Sequence, residues 1–175
     1  MQPNLTGENF LLYIATGGIA LGGFTGLLNA FRKAGRPWTP QEVVGMRLLF
    51  QHSLGAAFFG FLPFPLFATL RSEARVWLIC SSVLALFLAY QLVYLGLKVR
   101  RTPPRRPNAV YFHFFPFTFV ALCLQVICVW RGGLAWPYFW GLFWLLQPPA
   151  VQFYHFISFV PRSGSKTAST RATNT

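Results

Sequence analysis

Five long apolar runs contain no Asp, Glu, Lys or Arg: Phe10 to Phe31, Leu48 to Leu70, Val76 to Leu97, Asn108 to Trp130 and Gly132 to Pro161. Nearly all the charge lies in the short segments between them. A hydrocarbon core of about 30 Å takes roughly 20 apolar residues at the helical rise. Every run meets that length. The fifth exceeds it, so its ends belong to the interface or the helix tilts. Backbone N–H and C=O groups cannot stay unpaired in lipid, so runs of this kind must be helical. A transmembrane barrel would need alternating segments of about ten residues, and these runs do not alternate. Soluble helices keep a polar face, and here there is little of one.

The expected fold is therefore all-α, a polytopic transmembrane helical bundle of about five spans. It forms one domain over residues 1–161, followed by a disordered cytoplasmic tail over 162–175, rich in Ser, Thr, Gly and Ala. A four-span version competes with it, because Pro116, Pro137, Pro148 and Pro149 make the last two runs the least regular.

The loop charges choose between these. Arg32, Lys33, Arg36 and Arg47 mark the first loop, Arg71 and Arg75 the second, and Lys98, Arg100, Arg101, Arg105 and Arg106 the third. The fourth has only Arg131, and the tail has Arg162, Lys166 and Arg171. Cytoplasmic loops retain Lys and Arg. Loops one and three and the tail are then inside and the N-terminus outside, which needs an odd number of spans. The expected location is a bacterial inner (plasma) membrane. Basic residues follow the first apolar run rather than precede it, so that run reads as a retained span and not a cleaved signal. Asn4-Leu5-Thr6 matches a glycosylation acceptor but lies very close to the first span.

The net charge of +12 would suggest nucleic acid in a soluble domain. Beside span ends it matches anionic head groups instead. Nucleic acid is accordingly not an expected partner, and the lipid bilayer is. The cluster Arg100, Arg101, Arg105 and Arg106 is the densest head-group contact, read first as a topology anchor and second as a docking site.

Within the chain, Thr39-Pro40-Gln41-Glu42 has the form of a helix start, with Thr39 as cap and Pro40 at the first helical position. Pro63 and Pro65 should bend or end the second helix. Cys80, Cys123 and Cys128 all lie in apolar runs and read as small buried residues rather than a disulfide framework.

Two constellations bear on function. Gly18, Gly22 and Gly26 stack on one face of the first helix, where small residues let another helix approach. That helix belongs either to the same chain or to a partner, as a homo-oligomer or with another membrane protein. The second constellation follows from the threading. His52, His113 and His155, with Gln51, Gln91 and Gln152, all fall in the cytoplasmic half, together with Tyr90, Tyr94 and Tyr154. Polar side chains in a bilayer face the interior and find each other, so a buried polar layer is expected there. Imidazoles ligate metals and haem iron, but no helix carries HExxH or ExxH. The identity of any cofactor stays open, with haem or a metal as the candidates.

No Asp occurs, and no carboxylate lies inside a run. That weakens proton-coupled transport. No nucleophile elbow, phosphate loop or dinucleotide fingerprint is present, which leans away from an enzyme. The leading expectation is a non-enzymatic accessory or scaffold subunit acting through helix packing. Its alternatives are a His-ligated haem or metal redox protein and a small channel or transporter. Trp136, Tyr138, Trp140 and Trp144 read as an interfacial aromatic belt, with a pigment or quinone pocket as the sharper alternative.

Overall fold

The computed structural model describes residues 5–30, 40–101 and 109–158. Among the described residues there are six helices and no strand: α1 Glu8–Ala30, α2 Pro40–Phe61, α3 Pro63–Leu70, α4 Glu73–Arg101, α5 Ala109–Trp130 and α6 Ala135–Ser158. The second apolar run supplies both α2 and α3, so five runs give six helices. The start of α2 at Pro40 agrees with the helix-start pattern, while Thr39 lies outside the described residues. The expected tail over 162–175 also lies outside them.

The break between α2 and α3 has a chemical cause. Pro63 has no N–H to give to the carbonyl of Phe59, four residues back. The chain turns at Leu62 and resumes as α3. The Tyr138 hydroxyl, from α6, donates to that Phe59 carbonyl at 2.6 Å. Pro116 sits inside α5, and Pro148 and Pro149 inside α6, without ending either helix.

Two stretches, Gly45–Leu70 and Glu73–Leu97, are long and apolar enough to cross a membrane, and Phe114–Trp130 forms a shorter apolar stretch. The interior is mainly apolar but includes several polar side chains, and many large apolar side chains lie on the outside. His52, Ser53, Ser81, Gln91, Thr118 and Gln125 are buried. Large apolar side chains face outward on every long helix, Trp130 being 83% exposed and Leu86 72%.

Helix α1 packs chiefly on α2, α6 on α2 and α5, and α4 on α5. The α1–α2 contact is close because Gly18 has no side chain. A Cβ there would lie 2.6 Å from the Ser53 carbonyl oxygen and 2.7 Å from the Ala57 nitrogen. The turn from α5 to α6 needs glycine for a similar reason. Gly133 has φ of 95°, donates to the Cys128 carbonyl at 3.0 Å, and leaves no room for a Cβ beside the Ala74 carbonyl.

Helices α2 and α4 are antiparallel in register. Arg47 meets Tyr94, and the Cα of Gly55 faces the Phe87 ring. Each step along α2 is matched by a step back along α4, so Gln51 and His52 fall level with Gln91. Gly55 also faces Leu145 while Phe59 meets Tyr138, which makes α6 antiparallel to α2 and brings Pro148 and Pro149 to the level of His52.

Candidate functional site

Polar side chains in the interior form two levels. The first lies toward Glu73, at the start of α4. There the Glu73 carboxylate accepts from the Thr6 backbone N–H at 3.0 Å and the Thr6 hydroxyl at 2.9 Å, tying the turn before α1 to α4. Ser81 donates to the Cys128 sulfur at 3.0 Å, and that thiol lies 3.1 Å from the Leu134 carbonyl. The Gln125 amide donates to the Pro137 carbonyl at 2.7 Å, approaching through the space that Gly141 leaves open. With Tyr138 on Phe59, this level is paired almost throughout; among the described residues only Gln125 Oε1 there lacks a partner. Cys80 and Cys128 are buried and Cys123 is partly buried, all as free thiols.

The second level lies toward Arg47. His52 is fully buried between Phe87 and Phe114, which meet it edge-on at centroid distances of 6.3 and 5.4 Å. Its Nδ1 lies 2.8 Å from the Leu48 carbonyl oxygen. A carbonyl can only accept, so Nδ1 carries the proton, and Nε2 of the neutral ring presents a bare lone pair. That Nε2 has no partner among the described residues. Neither does either amide atom of the fully buried Gln91, nor Gln51 Oε1, nor Ser53 Oγ. Thr118 is paired here, donating to the Phe114 carbonyl at 2.7 Å and accepting from the Trp144 indole at 3.1 Å. Pro148 and Pro149 release the carbonyls of Trp144 and Leu145 from their usual helical donors. The level is thus rich in acceptors.

This is unusual chemistry for an interior. Buried polar groups are paired in the great majority of cases, and leaving one unpaired costs about 1–3 kcal/mol. Several orphans at one level, beside a paired level in the same fold, define the candidate site.

An open groove of about 600 Å³ reaches this level from the outside, between α2 and α4. Gln51 and Tyr90 lie at one end, and Leu54, Phe58, Phe59, Val83, Leu86 and Phe87 continue it. Tyr90 stacks on Tyr94 at 6.1 Å, and Arg47 donates to the Tyr94 hydroxyl at 2.9 Å while its guanidinium lies 4.6 Å from the ring centroid. A second hollow, about 310 Å³, lies among Phe10, Trp136, Phe139, Trp140 and Phe143, and its lining is wholly aromatic.

By the register of α2 and α4, Gln51 and His52 lie at the height of Gln91. His113 falls in α5, and Gln152 and His155 in α6, but their side chains lie outside the described residues. Arg100 and Arg101 end α4 with side chains likewise outside, and Arg105 and Arg106 lie outside entirely. Tyr90 and Tyr154, expected in the layer, face outward. Consecutive helical positions do not share a face, so turning Gln91 inward turns Tyr90 out. The Trp136–Trp144 cluster divides in the same way: Trp136 and Trp140 are exposed, whereas Tyr138 and Trp144 are buried. Sequence reasoning missed Ser53, Thr118 and Gln125. Gln125 was findable, being a lone amide in the later half of an apolar run.

The glycine stripe is used unevenly. Gly18 is buried against α2, Gly22 has Ser53 Cβ 3.7 Å from its would-be Cβ, and Gly26 has nothing within 4 Å among the described residues. No group of three His, Cys, Asp or Glu side chains converges as a metal site among the described residues. Comparison with protein-family models, curated proteins and solved structures returned no match.

Proposed function

We propose that this protein is an integral membrane protein, a bundle of five spans formed by α1, α2 with α3, α4, α5 and α6. The segment before α1 is outside and the basic loops are cytoplasmic, following the loop charges. The exposed large apolar side chains support this reading, since an outward face of Phe, Leu, Val and Trp suits lipid. Its role is that of a non-enzymatic accessory subunit, joined to a second copy or another membrane protein through the later half of α1.

One observation carries the subunit reading. The stripe that admits α2 at Gly18 continues past it, and Gly23 and Gly26 meet no described neighbour within 4 Å. In lipid there is no hydrophobic drive between helices, and close backbone approach at small residues takes its place. An open continuation of a stripe already used once suits a second helix.

The test pairs two positions. Gly26→Leu should leave folding intact and abolish recovery of the associated copy or partner after mild solubilisation. Gly18→Leu should disrupt α1–α2 packing itself, because the added side chain meets backbone. If Gly26→Leu leaves all association unchanged on size-exclusion chromatography with crosslinking, the subunit reading fails. Extraction from membranes by carbonate alone would defeat the membrane reading separately.

A further inference from the structure

We propose that the α2–α4 face binds one anionic glycerophospholipid of the cytoplasmic leaflet, its phosphate on the Arg47 guanidinium and an acyl chain running along the groove past Leu54 to Phe58. The inference rests on the membrane reading above and is independent of the subunit reading.

The cation is exposed and already held in place. Arg47 donates one N–H to the Tyr94 hydroxyl at 2.9 Å, and its guanidinium lies 4.6 Å from the centroid of the same ring. Tyr94 in turn stacks on Tyr90, with centroids 6.1 Å apart and planes 22° from parallel. A guanidinium carries its N–H donors in a planar fork. One bond to Tyr94 leaves enough of that fork to take phosphate oxygens in a charge-assisted pair. A side chain fixed beforehand also costs less to order on binding.

Among the described residues no carboxylate meets that cation; its contacts are the Tyr94 hydroxyl and ring. Glu8 and Glu73 open α1 and α4 at the far end of the bundle. Glu42 lies in α2 five residues before Arg47, with its side chain outside the described residues. Helix neighbours are three or four residues apart. The counter-charge for Arg47 is therefore open to a ligand.

Position selects a lipid over a free anion. Arg47 lies one helical turn beyond Gln51, and Tyr94 one turn beyond Tyr90, which together close the groove at that end. Away from them the lining is Leu54, Phe58, Val83, Leu86 and Phe87, with no charged side chain. Arg47 to Phe58 spans about 16 Å at the helical rise. One leaflet supplies about half of a 30 Å hydrocarbon core, so the lengths agree. Cation, then hydroxyl, then apolar wall is the order of phosphate, ester and acyl chain in a glycerophospholipid. The Tyr90 phenol is a suitable donor to an ester carbonyl. By the threading proposed above, Arg47 belongs to the cytoplasmic side, where anionic lipids are concentrated. A zwitterionic lipid would bring its own ammonium beside Arg47 and lose the preference.

The experiment titrates the full chain in mild detergent with dioleoyl phosphatidylglycerol and, separately, with dioleoyl phosphatidylcholine, read by native mass spectrometry. The two lipids share their chains and differ in head-group charge. Wild type should bind one phosphatidylglycerol per chain about five- to tenfold more tightly than phosphatidylcholine. Arg47→Gln should bring phosphatidylglycerol down to the affinity of phosphatidylcholine and leave the latter unchanged, which also reports an intact fold. Leu54→Trp, at a half-exposed groove position, should remove the tight site for both lipids with Arg47 still present. Joint replacement of Arg100 and Arg101 by Gln should leave the tight site as it is. A preference for phosphatidylglycerol that survives Arg47→Gln overturns the proposal and assigns the lipid to another basic cluster. Unchanged binding in Leu54→Trp overturns it too, marking annular lipid with no chain in the groove. Arg47→Lys keeps the charge and should retain a preference; its loss there counts against the proposal equally. A chain soluble without detergent would instead overturn the membrane reading.

Discussion

The Glu73 end and the Arg47 end of the same helices treat buried polarity in opposite ways. Toward Glu73, hydroxyl, thiol and amide groups from three helices pair with one another or with carbonyls, and the pairs hold α4, α5, α6 and the α2–α3 break in register. Toward Arg47, His52, Gln91 and Ser53 are just as buried and have atoms without a partner among the described residues. Both ends are enclosed by aromatic rings, so burial alone does not distinguish them. The difference lies in whether packing delivered a partner. A polar group that holds a fold together ends up paired, because the low dielectric makes an orphan expensive. A group kept buried and unpaired carries that cost for another purpose, most often a ligand, a water or a strained state.

The largest effect that would sharpen this contrast comes from Tyr138→Phe. It removes the Tyr138 donor to the Phe59 carbonyl, which Pro63 has already deprived of its helical N–H. Loss of about 1–3 kcal/mol is expected, measured as a drop in thermal midpoint in detergent. A smaller effect of opposite sign is expected for Gln91→Leu, which removes two unpaired atoms in a similar volume. It should stabilise by about 1–2 kcal/mol in ligand-free protein. If Gln91→Leu destabilises as much as Tyr138→Phe, the Arg47 end is internally paired and the contrast collapses. The smallest effect is expected from Thr6→Ala, which loses one exposed bond to Glu73 and leaves the backbone bond in place. About 0.5–1 kcal/mol is expected, together with faster amide exchange at the turn before α1 and none at the Arg47 end.

The helices were legible in the sequence to within a few residues at most ends. Uncharged runs bounded by charge left few alternatives, and Pro40 and Pro63 acted where proline chemistry places them. Of the candidate site, the depth of Gln51, His52 and Gln91 was legible, because helical rise converts position in a run into level. Their facing was less so. Tyr90 and Gln91 are neighbours in sequence, both amphipathic, and only the packing of α4 against its neighbours, chiefly α5, decides which turns inward. The glycine stripe shows the same limit: Gly18 and Gly26 are equivalent in spacing, yet one meets backbone and the other meets open space among the described residues.

The sequence by itself thus determined which segments are helical and where along each helix its polar groups lie. Those properties follow from local composition and from the covalent geometry of the helix. Tertiary structure decided which of those groups are satisfied. The Tyr138 hydroxyl reaches a carbonyl freed by a proline far from it in sequence, while His52 Nε2 and the Gln91 amide fall at one level without partners among the described residues. Pairing depends on rotation and register between helices, and these are settled only when every helix packs at once.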